Sequence, residues 1–308
     1  MMDDMIDLPG GAYRMGSDDH YPEEAPARTV IVDPFSIDRT PVTNAQFARF
    51  VDETGYITTA ETPPRAEDYP GADPAMLQAG SSLFVPTAGP VPLHNPLSWW
   101  QFSFGTDWRH PWGPQSDIAA LADHPVTHVS YYDAAAYAQW AGKQLPTEAE
   151  WEFAARGGLD SKAFAWGDEL EPDGQHMANV WQGEFPWGNT QADGFIRTSP
   201  VRHYPANGYG LFDMIGNMWE WTEDWYGMDR SAAVSQPCCT PRNPRGGSED
   251  ASRDLNDPGA QFGRKVLKGG SHLCAPSYCQ RYRPAARYPQ TVDTSTSHIG
   301  FRCVRRPE

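Results

Sequence analysis

The sequence has no long apolar run and no excess of basic residues, and each absence argues against a class of protein. No stretch approaches the roughly 20 apolar residues of a membrane span, and residues 1–7 are acidic without the apolar core of a signal peptide. We therefore expect a cytoplasmic protein or one already processed. With 24 Lys and Arg against 40 Asp and Glu, the formal net charge is -16, which disfavours nucleic acids and anionic membranes as partners. A basic peptide is compatible with this charge.

The chain also lacks internal divisions. No linker, charge run, low-complexity stretch or repeat interrupts its 308 residues, so we predict a single domain over residues 1–308. With 28 Gly, 29 Pro and only 39% hydrophobic residues, much of the backbone must form turns and loops. Such loops need fixing by something besides helices and sheets, and bound cations would supply it.

Regular secondary structure is predicted to be sparse. Capping boxes predict three helices, which follow Thr43, Ser130 and Thr147 and end at Gly55, Gly142 and Gly157. Short alternating runs predict strands at residues 29–37, 266–268 and 300–304. These elements indicate an α+β domain with little regular structure.

Cysteine is scarce, and its odd count of five leaves at least one thiol unpaired. Cys238 and Cys239 are adjacent in a Pro-rich loop and are most simply small buried hydrophobes. A cytosolic compartment would keep the thiols reduced, which suits thiol chemistry better than a disulfide scaffold.

The most informative cysteines are Cys274 and Cys279, which stand between a Gly269-Gly270 turn and an Arg/Tyr-rich segment predicted to be a strand. Such a pair can form a disulfide, bind a soft metal such as Cu(I), Zn or an iron–sulfur centre, or attack a thiol substrate. Inert buried thiols are the alternative, and zinc would need two further ligands, of which only His272 is near. The thiolate fraction would be raised by nearby cations, Arg281, Arg283 and Arg287.

Two other segments carry the oxygen ligands that Ca²⁺ prefers. One combines Asn179-Val180 with Asp193-Gly-Phe195, and the other runs from Asp213 to Glu220. Spacing alone leaves ordinary turns as an alternative, because Asp and Asn also form turn hydrogen bonds.

Two further patterns, one of histidines and one of acidic residues, do not predict a functional site. His124 and His128 are four residues apart, but Pro125 and β-branched neighbours predict an extended segment, so we expect no metal there. Asp18-Asp19 and Glu23-Glu24 are most simply a solvated acidic loop.

The order of motifs resembles the formylglycine-generating enzyme family from about Leu8 to Arg302. The motifs around the cysteines are Gly269-Gly270-Ser271, Cys274, Cys279, Arg281-Tyr282-Arg283 and Gly300-Phe301-Arg302. Those upstream are Gly11-Ala-Tyr-Arg-Met-Gly16, Thr40-Pro-Val-Thr-Asn-Ala-Gln-Phe47, Leu145-Pro-Thr-Glu-Ala-Glu-Trp-Glu152, Asn207-Gly-Tyr-Gly-Leu211 and Gly216-Asn-Met-Trp-Glu-Trp221. Most of these blocks also occur in non-enzymes and iron-dependent sulfoxide synthases of the wider fold, so the cysteine pair selects the enzyme.

The resemblance implies a duplicated C-type-lectin-like fold and a defined reaction. The family oxidises the cysteine of a Cys-x-Pro-x-Arg motif in sulfatases to Cα-formylglycine, using O₂ and a thiol reductant. By resemblance, Cys274 and Cys279 hold Cu(I) in near-linear ligation and leave room for the substrate thiolate. Ser271 would contact the oxygen species and Trp219 would wall the oxygen pocket. Tyr278 would be a polar neighbour, or an aromatic that only packs.

The resemblance also implies two structural calcium ions. The first would be held by Asn179, the Val180 carbonyl, Asp193 and the Phe195 carbonyl. The second would be held by Asp213, the Gly216 and Met218 carbonyls and Glu220. His298 stands where some relatives carry Asn near the peptide. Cys303 stands where secreted relatives form a disulfide, but the partner position is Ala138 here, so we expect none.

Two alternative functions follow from the same fold. A non-catalytic binding module would keep the Trp and Gly blocks but would need neither cysteine of the pair. A sulfoxide synthase would need a second, helical domain with a three-His iron site, for which 308 residues leave no space.

Overall fold

The computed structural model describes residues 4–227, 240–254, 256 and 260–307. Cys238 and Cys239 lie outside these residues. The helices are α1 (Asn44–Thr54), α2 (Tyr131–Trp140), α3 (Glu148–Arg156) and the short α4 (Glu249–Ser252). The strands are β1 (Met5–Leu8), β2 (Gly11–Met15), β3 (Arg28–Val32), β4 (Phe35–Asp38), β5 (Gly80–Phe84), β6 (Trp100–Phe104), β7 (Gly183–Glu184), β8 (Gly188–Asn189), β9 (Trp219–Trp225), β10 (Arg264–Lys268), β11 (Arg287–Thr291), β12 (Ile299–Gly300) and β13 (Val304–Arg305). Among the described helices, none is long and apolar enough to cross a membrane.

The three predicted helices are confirmed together with their capping boxes. Thr43, Ser130 and Thr147 each accept a hydrogen bond from the N3 amide of the helix that follows. Left-handed Gly55 and Gly157 cap the ends of α1 and α3, whereas the C-cap of α2 is Ala141, one residue before the predicted glycine.

A four-stranded sheet in the order β11-β10-β9-β12 positions the candidate site. Strand β10 is antiparallel to both β9 and β11, and β12 is parallel to β9. The carboxyl end of β10 therefore lies beside the starts of the other three strands. The segments that enter or leave these strands meet at one edge of the sheet.

Two predicted strands prove to be pairs of strands in different sheets. Residues 29–37 are divided at Pro34, which lacks an amide donor, so that β3 pairs with β2 while β4 joins the β1-β4-β13 sheet. Residues 300–304 are divided at Arg302, where the chain passes from β12 on β9 to β13 on β4.

Two hydrophobic clusters form the core. The larger packs the helices against the sheets through buried aromatic side chains that include Phe47, Tyr137, Trp151, Trp221 and Phe301. The smaller lies beside the cysteine pair and contains Phe84, Trp99, Trp181, Phe185, Leu273 and Ala275. The α+β architecture with little regular structure is confirmed.

Candidate active site

The turn that follows β10 admits only glycine. Gly269 and Gly270 have φ values of 95° and 72°, a region that favours glycine. A Cβ on Gly270 would lie 2.7 Å from the Tyr282 amide nitrogen, too close for a real contact. This close approach brings the chain after the cysteines against the chain before them.

The two thiols face each other within one helical turn. The amides of Cys279 and Tyr278 both donate to the Ala275 carbonyl, at 2.8 and 3.0 Å, and these bonds fold the five-residue separation into a compact loop. Cys274 Sγ and Cys279 Sγ lie 3.2 Å apart and form no disulfide. The sequence-based expectation that these thiols can act on one atom therefore has a matching geometry.

Contact between the two thiols shifts their pKa values in opposite directions. The hydrogen bond from Cys274 lowers the pKa of the Cys279 thiol to about 6, and the Arg281 amide and guanidinium act in the same direction against the effect of burial. Burial raises the pKa of the Cys274 thiol well above its usual value, as does its bond to Cys279. At neutral pH the pair therefore presents a thiolate at Cys279 while Cys274 keeps its proton.

Both sulfurs line an open cavity of about 490 Å³, which we call the thiol cavity. Ser271, Trp219 and Tyr278 line it as well, so all five catalytic candidates from the sequence lie together. The Ser271 hydroxyl oxygen accepts from the Leu273 amide at 3.2 Å, which leaves its hydrogen able to be donated.

Aromatic rings wall the thiol cavity. Tyr278 is stacked flat on Phe185, with centroids 4.5 Å apart, and burial raises the pKa of its phenol to about 12. Trp219 is 4% exposed and packs near Tyr288, with centroids 5.8 Å apart. Tyr278 thus packs as an aromatic and also keeps its hydroxyl protonated, so both readings of this residue from the sequence remain compatible with its environment.

His298 also lines the thiol cavity. Its ring lies 4.8 Å from that of Trp100, and its carbonyl accepts from the Trp219 amide at 2.8 Å. Burial holds the pKa of its imidazole well below 6.5, so His298 is a neutral polar group on the cavity wall.

The segment after the cysteines was predicted to be a strand, and this is wrong for residues 281–286. Pro284 lacks an amide donor, and strand β11 begins only at Arg287. The Arg281 and Arg283 side chains instead pair with the amino-terminal loop, through Glu23 at 2.7 Å and through Glu24.

This loop corrects a second prediction, because Glu23 and Glu24 are not a solvated acidic pair. Glu24 is 0% exposed and Arg283 is almost completely buried. The Tyr21 hydroxyl accepts from the Gln280 amide at 3.1 Å, and Arg281 lies over the Tyr21 ring at 3.8 Å. The loop is a strap over the residues that follow Cys279, which sequence reasoning missed because the paired residues are 258 and 259 positions apart.

In the first predicted calcium segment, the Gln182 side chain bonds two of the expected ligand residues. The Gln182 amide donates to the Val180 carbonyl at 2.6 Å and accepts from the Asp193 amide at 3.3 Å. The Asn179 nitrogen donates to the Arg197 carbonyl, which leaves its oxygen as the available ligand atom. The Asp193 carboxylate also accepts from the Phe195 amide at 3.0 Å. One carboxylate, one amide and neighbouring carbonyls are a donor set that fits Ca²⁺.

The second predicted calcium segment, from Asp213 through Gly216 and Met218 to Glu220, has a different environment. Burial raises the pKa of the Asp213 carboxyl to about 6, so a nearby cation would favour its charged form. Glu220 accepts from Trp151 Nε1 at 2.7 Å and from the Arg302 guanidinium at 2.8 Å. Both Glu220 oxygens are already bonded, so a calcium ion would share this carboxylate with Arg302.

Asn217 and its neighbour Gly216 connect both predicted calcium segments to the cysteine loop by hydrogen bonds. Its amide donates to the Asn179 carbonyl at 2.8 Å, and its carbonyl accepts from the His272 amide at 3.1 Å and from its ring at 2.7 Å. Next to it, the Gly216 amide donates to the Gly269 carbonyl at 2.9 Å. The two predicted calcium segments are therefore hydrogen-bonded directly to the chain that carries Cys274.

His124, His128 and Cys303, which the sequence analysis also considered, have surroundings of their own. His124 bonds Thr198, while His128 bonds Ser81 and the Pro111 carbonyl. Cys303 is a buried free thiol. In the described part of the chain, no group of three or more His, Cys, Asp or Glu side chains could jointly hold a metal. A metal at the cysteine pair would thus have two protein sulfurs and need ligands from elsewhere, a set suited to a soft ion.

Comparison with known proteins places this geometry in a family. The sulfatase-modifying factor enzyme 1-like domain matches residues 1–307. The formylglycine-generating enzyme of Mycobacterium tuberculosis is 54% identical over 308 residues, which cover 100% of this chain and 99% of that protein. The inactive C-alpha-formylglycine-generating enzyme 2 of Mus musculus is 38% identical, over 97% of this chain and 85% of that protein.

A solved structure shares the fold. PvdO from Pseudomonas aeruginosa aligns with a TM-score of 0.64 at 21% identity, covering 98% of this chain and 94% of that chain. Because the family model matches almost the whole chain and a relative is more than half identical across it, this protein belongs to the sulfatase-modifying factor enzyme 1-like family, and the resemblance found in the sequence is confirmed.

Proposed function

We propose that this protein converts the cysteine of a Cys-x-Pro-x-Arg motif in sulfatase polypeptides to Cα-formylglycine. Family membership supports the reaction class, and one observation carries the assignment to this chain. Cys274 and Cys279 lie 3.2 Å apart and line the open thiol cavity, which supports a site where a peptide cysteine would meet both sulfurs.

The proposed cofactor is Cu(I), held by Cys274 and Cys279. When bound, it would supply a soft centre for the substrate thiolate and for the reduction of O₂. The two sulfurs, now 3.2 Å apart, would be its protein ligands, and their softness suits a soft ion. The thiolate at Cys279 makes the pair ready to bind a cation.

The reaction balances with O₂ and a thiol reductant as co-substrates. The substrate Cβ loses hydrogen to give a thioaldehyde, which water hydrolyses to the aldehyde and hydrogen sulfide. Two electrons from the peptide cysteine and two from the reducing thiols convert O₂ to water. A reducing compartment such as the cytoplasm would supply the thiols and keep the cysteine pair reduced.

The cavity residues would bind and orient the reactants. The Ser271 hydroxyl would donate to an oxygen species beside the sulfurs, and Trp219 would exclude water from it. Tyr278, with its pKa raised to about 12, would remain a neutral donor. The strap pairing of Arg281 with Glu23 would hold that cation close to Cys279.

The two calcium ions are proposed as structural. They would join the segments containing Asp193 and Glu220 to the cysteine loop through the Asn217 hydrogen bonds. Their contribution would be loop order, not chemistry.

The proposal is tested by peptide conversion measured by mass spectrometry. Enzyme supplied with Cu(I), thiol and O₂ should convert a Cys-x-Pro-x-Arg peptide, and replacing the peptide Pro or Arg by Ala should weaken conversion. Because the chain carries a charge of -16, the Arg contribution should fall as salt rises. Equal conversion of a peptide lacking both residues, at low and high salt, would contradict the sulfatase motif as substrate.

The alternative is a non-catalytic binding module, which the match to an inactive relative makes a necessary comparison. A module of this kind would bind no stoichiometric Cu(I) at the cysteine pair. Copper binding that disappears in Cys274→Ser and in Cys279→Ser would reject this alternative.

A further inference from the structure

A second cavity, of about 200 Å³, lies behind the cysteine loop, and we call it the rear cavity. His272 and Ser297 line it. Their immediate neighbours in the sequence line the thiol cavity instead. Trp181 is also part of its wall, and the Trp181 amide donates to the Cys274 carbonyl at 3.0 Å. The proposed oxidation does not use this cavity.

The rear cavity holds a cation without a carboxylate partner. Its described lining includes Arg197 and no Asp, Glu or Lys. The Arg197 guanidinium stacks over Trp112, 5.1 Å from the ring centroid, and none of the described acidic side chains forms an ion pair with it. Within the described part of the chain its N–H groups donate no hydrogen bond, and none of them is a buried donor without a partner. They are therefore open to a ligand, in a chain whose net charge is -16.

The walls around Arg197 are mostly apolar. Phe84, Pro86, Pro111, Trp112, Pro125 and Ile196 supply the apolar part, and Asn, Thr, Ser and His side chains supply a smaller polar part. A guanidinium presents a planar fork that matches a carboxylate through two parallel hydrogen bonds. A multivalent oxyanion would pair with only one cation, and its remaining charge would lose hydration against the apolar walls. A hydrocarbon tail in the same place does not incur this cost.

We propose that the rear cavity binds a short-chain monocarboxylate, whose carboxylate pairs with Arg197 while its hydrocarbon part contacts the proline and aromatic walls. The volume suits a ligand of a few heavy atoms, smaller than the pockets that hold drug-sized molecules. This site is separate from the proposed oxidation and needs neither copper nor substrate peptide.

Isothermal titration of the metal-free protein with sodium butyrate at constant ionic strength tests the proposal. Butyrate should bind the wild type, and Arg197→Gln should weaken binding by about tenfold or more, because a charged hydrogen-bond partner is lost. Arg197→Lys should bind with intermediate affinity, since it keeps the charge without the fork. Arg49→Gln, which removes an exposed arginine on α1, is the matched control and should bind as the wild type does.

Three results would overturn the site. They are no binding heat with the wild type, an unchanged dissociation constant in both Arg197 variants, and displacement of butyrate by inorganic phosphate at equal concentration. Melting temperatures without ligand check that the variants are folded, and Arg197→Lys remains informative if Arg197→Gln is not. Because binding is measured without turnover, failure of the proposed oxidation would leave this result unaffected, and the reverse also holds.

Discussion

At the scale of single residues, the two thiols of the cysteine pair differ in the direction of their pKa shifts. Cys274 and Cys279 are both buried, yet only Cys279 has its pKa lowered, because it accepts the Cys274 hydrogen bond and lies near Arg281. The sequence contained both thiols and the arginines. The sequence alone could not show which thiol would lose its proton, because that depends on the direction of one hydrogen bond.

Alkylation of the metal-free protein should reveal this asymmetry. Modification of Cys279 should rise with pH through a midpoint near 6, because the thiolate is the nucleophile. In Cys274→Ala the hydrogen-bond donor is lost and the midpoint should move upward. Peptide mapping after pulses of iodoacetamide measures both. A midpoint that is unchanged in the variant would show that Arg281 alone sets the pKa.

His128, which is not part of the cysteine pair, allows a test of how the stability of the protein depends on acidic pH. Burial lowers the pKa of its imidazole from 6.5 to about 4, so the unfolded state binds the proton more readily between these values. The free energy of unfolding therefore contains the full contribution of neutral His128 above pH 6.5. This contribution, roughly 3 kcal/mol in total, is lost as the pH falls toward 4.

The variant His128→Asn should lack this pH dependence, and Asn tolerates the positive φ of 59° at this position. Urea unfolding of both proteins across this pH range measures the difference in unfolding free energy. That difference should shrink as the pH falls. A constant difference would show that His128 does not titrate on unfolding.

At the scale of elements, the strap formed by Tyr21, Glu23 and Glu24 supports the chain after the cysteines. Glu24→Gln should leave the buried Arg283 guanidinium without a counter-charge and cost about 3–5 kcal/mol of unfolding free energy. Asp19→Asn, in the exposed part of the same loop, is the matched control. Denaturant unfolding measures both. Equal stabilities would mean that the strap is marginal to the fold.

The elements also show what a single sequence can and cannot predict. The helices following Thr43, Ser130 and Thr147 were predictable because capping is a local interaction between residues three apart. The strap and the division of strands at Pro34 and Arg302 depend on partners distant in the chain, for which no local pattern exists. The site residues were found through motif resemblance, and the geometry places them around one cavity.

At the scale of the whole molecule, much of the fold consists of loops whose order depends on a few shared contacts. If Asp193 is a calcium ligand, Asp193→Ala or strong chelation should lower the melting temperature, because an ion that binds only the folded state stabilises it. Asp52→Ala, on the exposed face of α1, should melt as the wild type does. Differential scanning calorimetry with and without added calcium measures the effect. No calcium by elemental analysis and no thermal shift would reject the calcium sites.

The cysteine pair is the central claim, and conversion of a Cys-x-Pro-x-Arg peptide by purified, copper-supplied variants tests it most directly. Cys274→Ser and Cys279→Ser should each lose formylglycine formation by orders of magnitude, as seen by mass spectrometry, because each removes one of two anchoring sulfurs. Both variants should stay folded, since the two thiols form no disulfide. Near-normal conversion by either variant, with its copper content unchanged, would contradict the account.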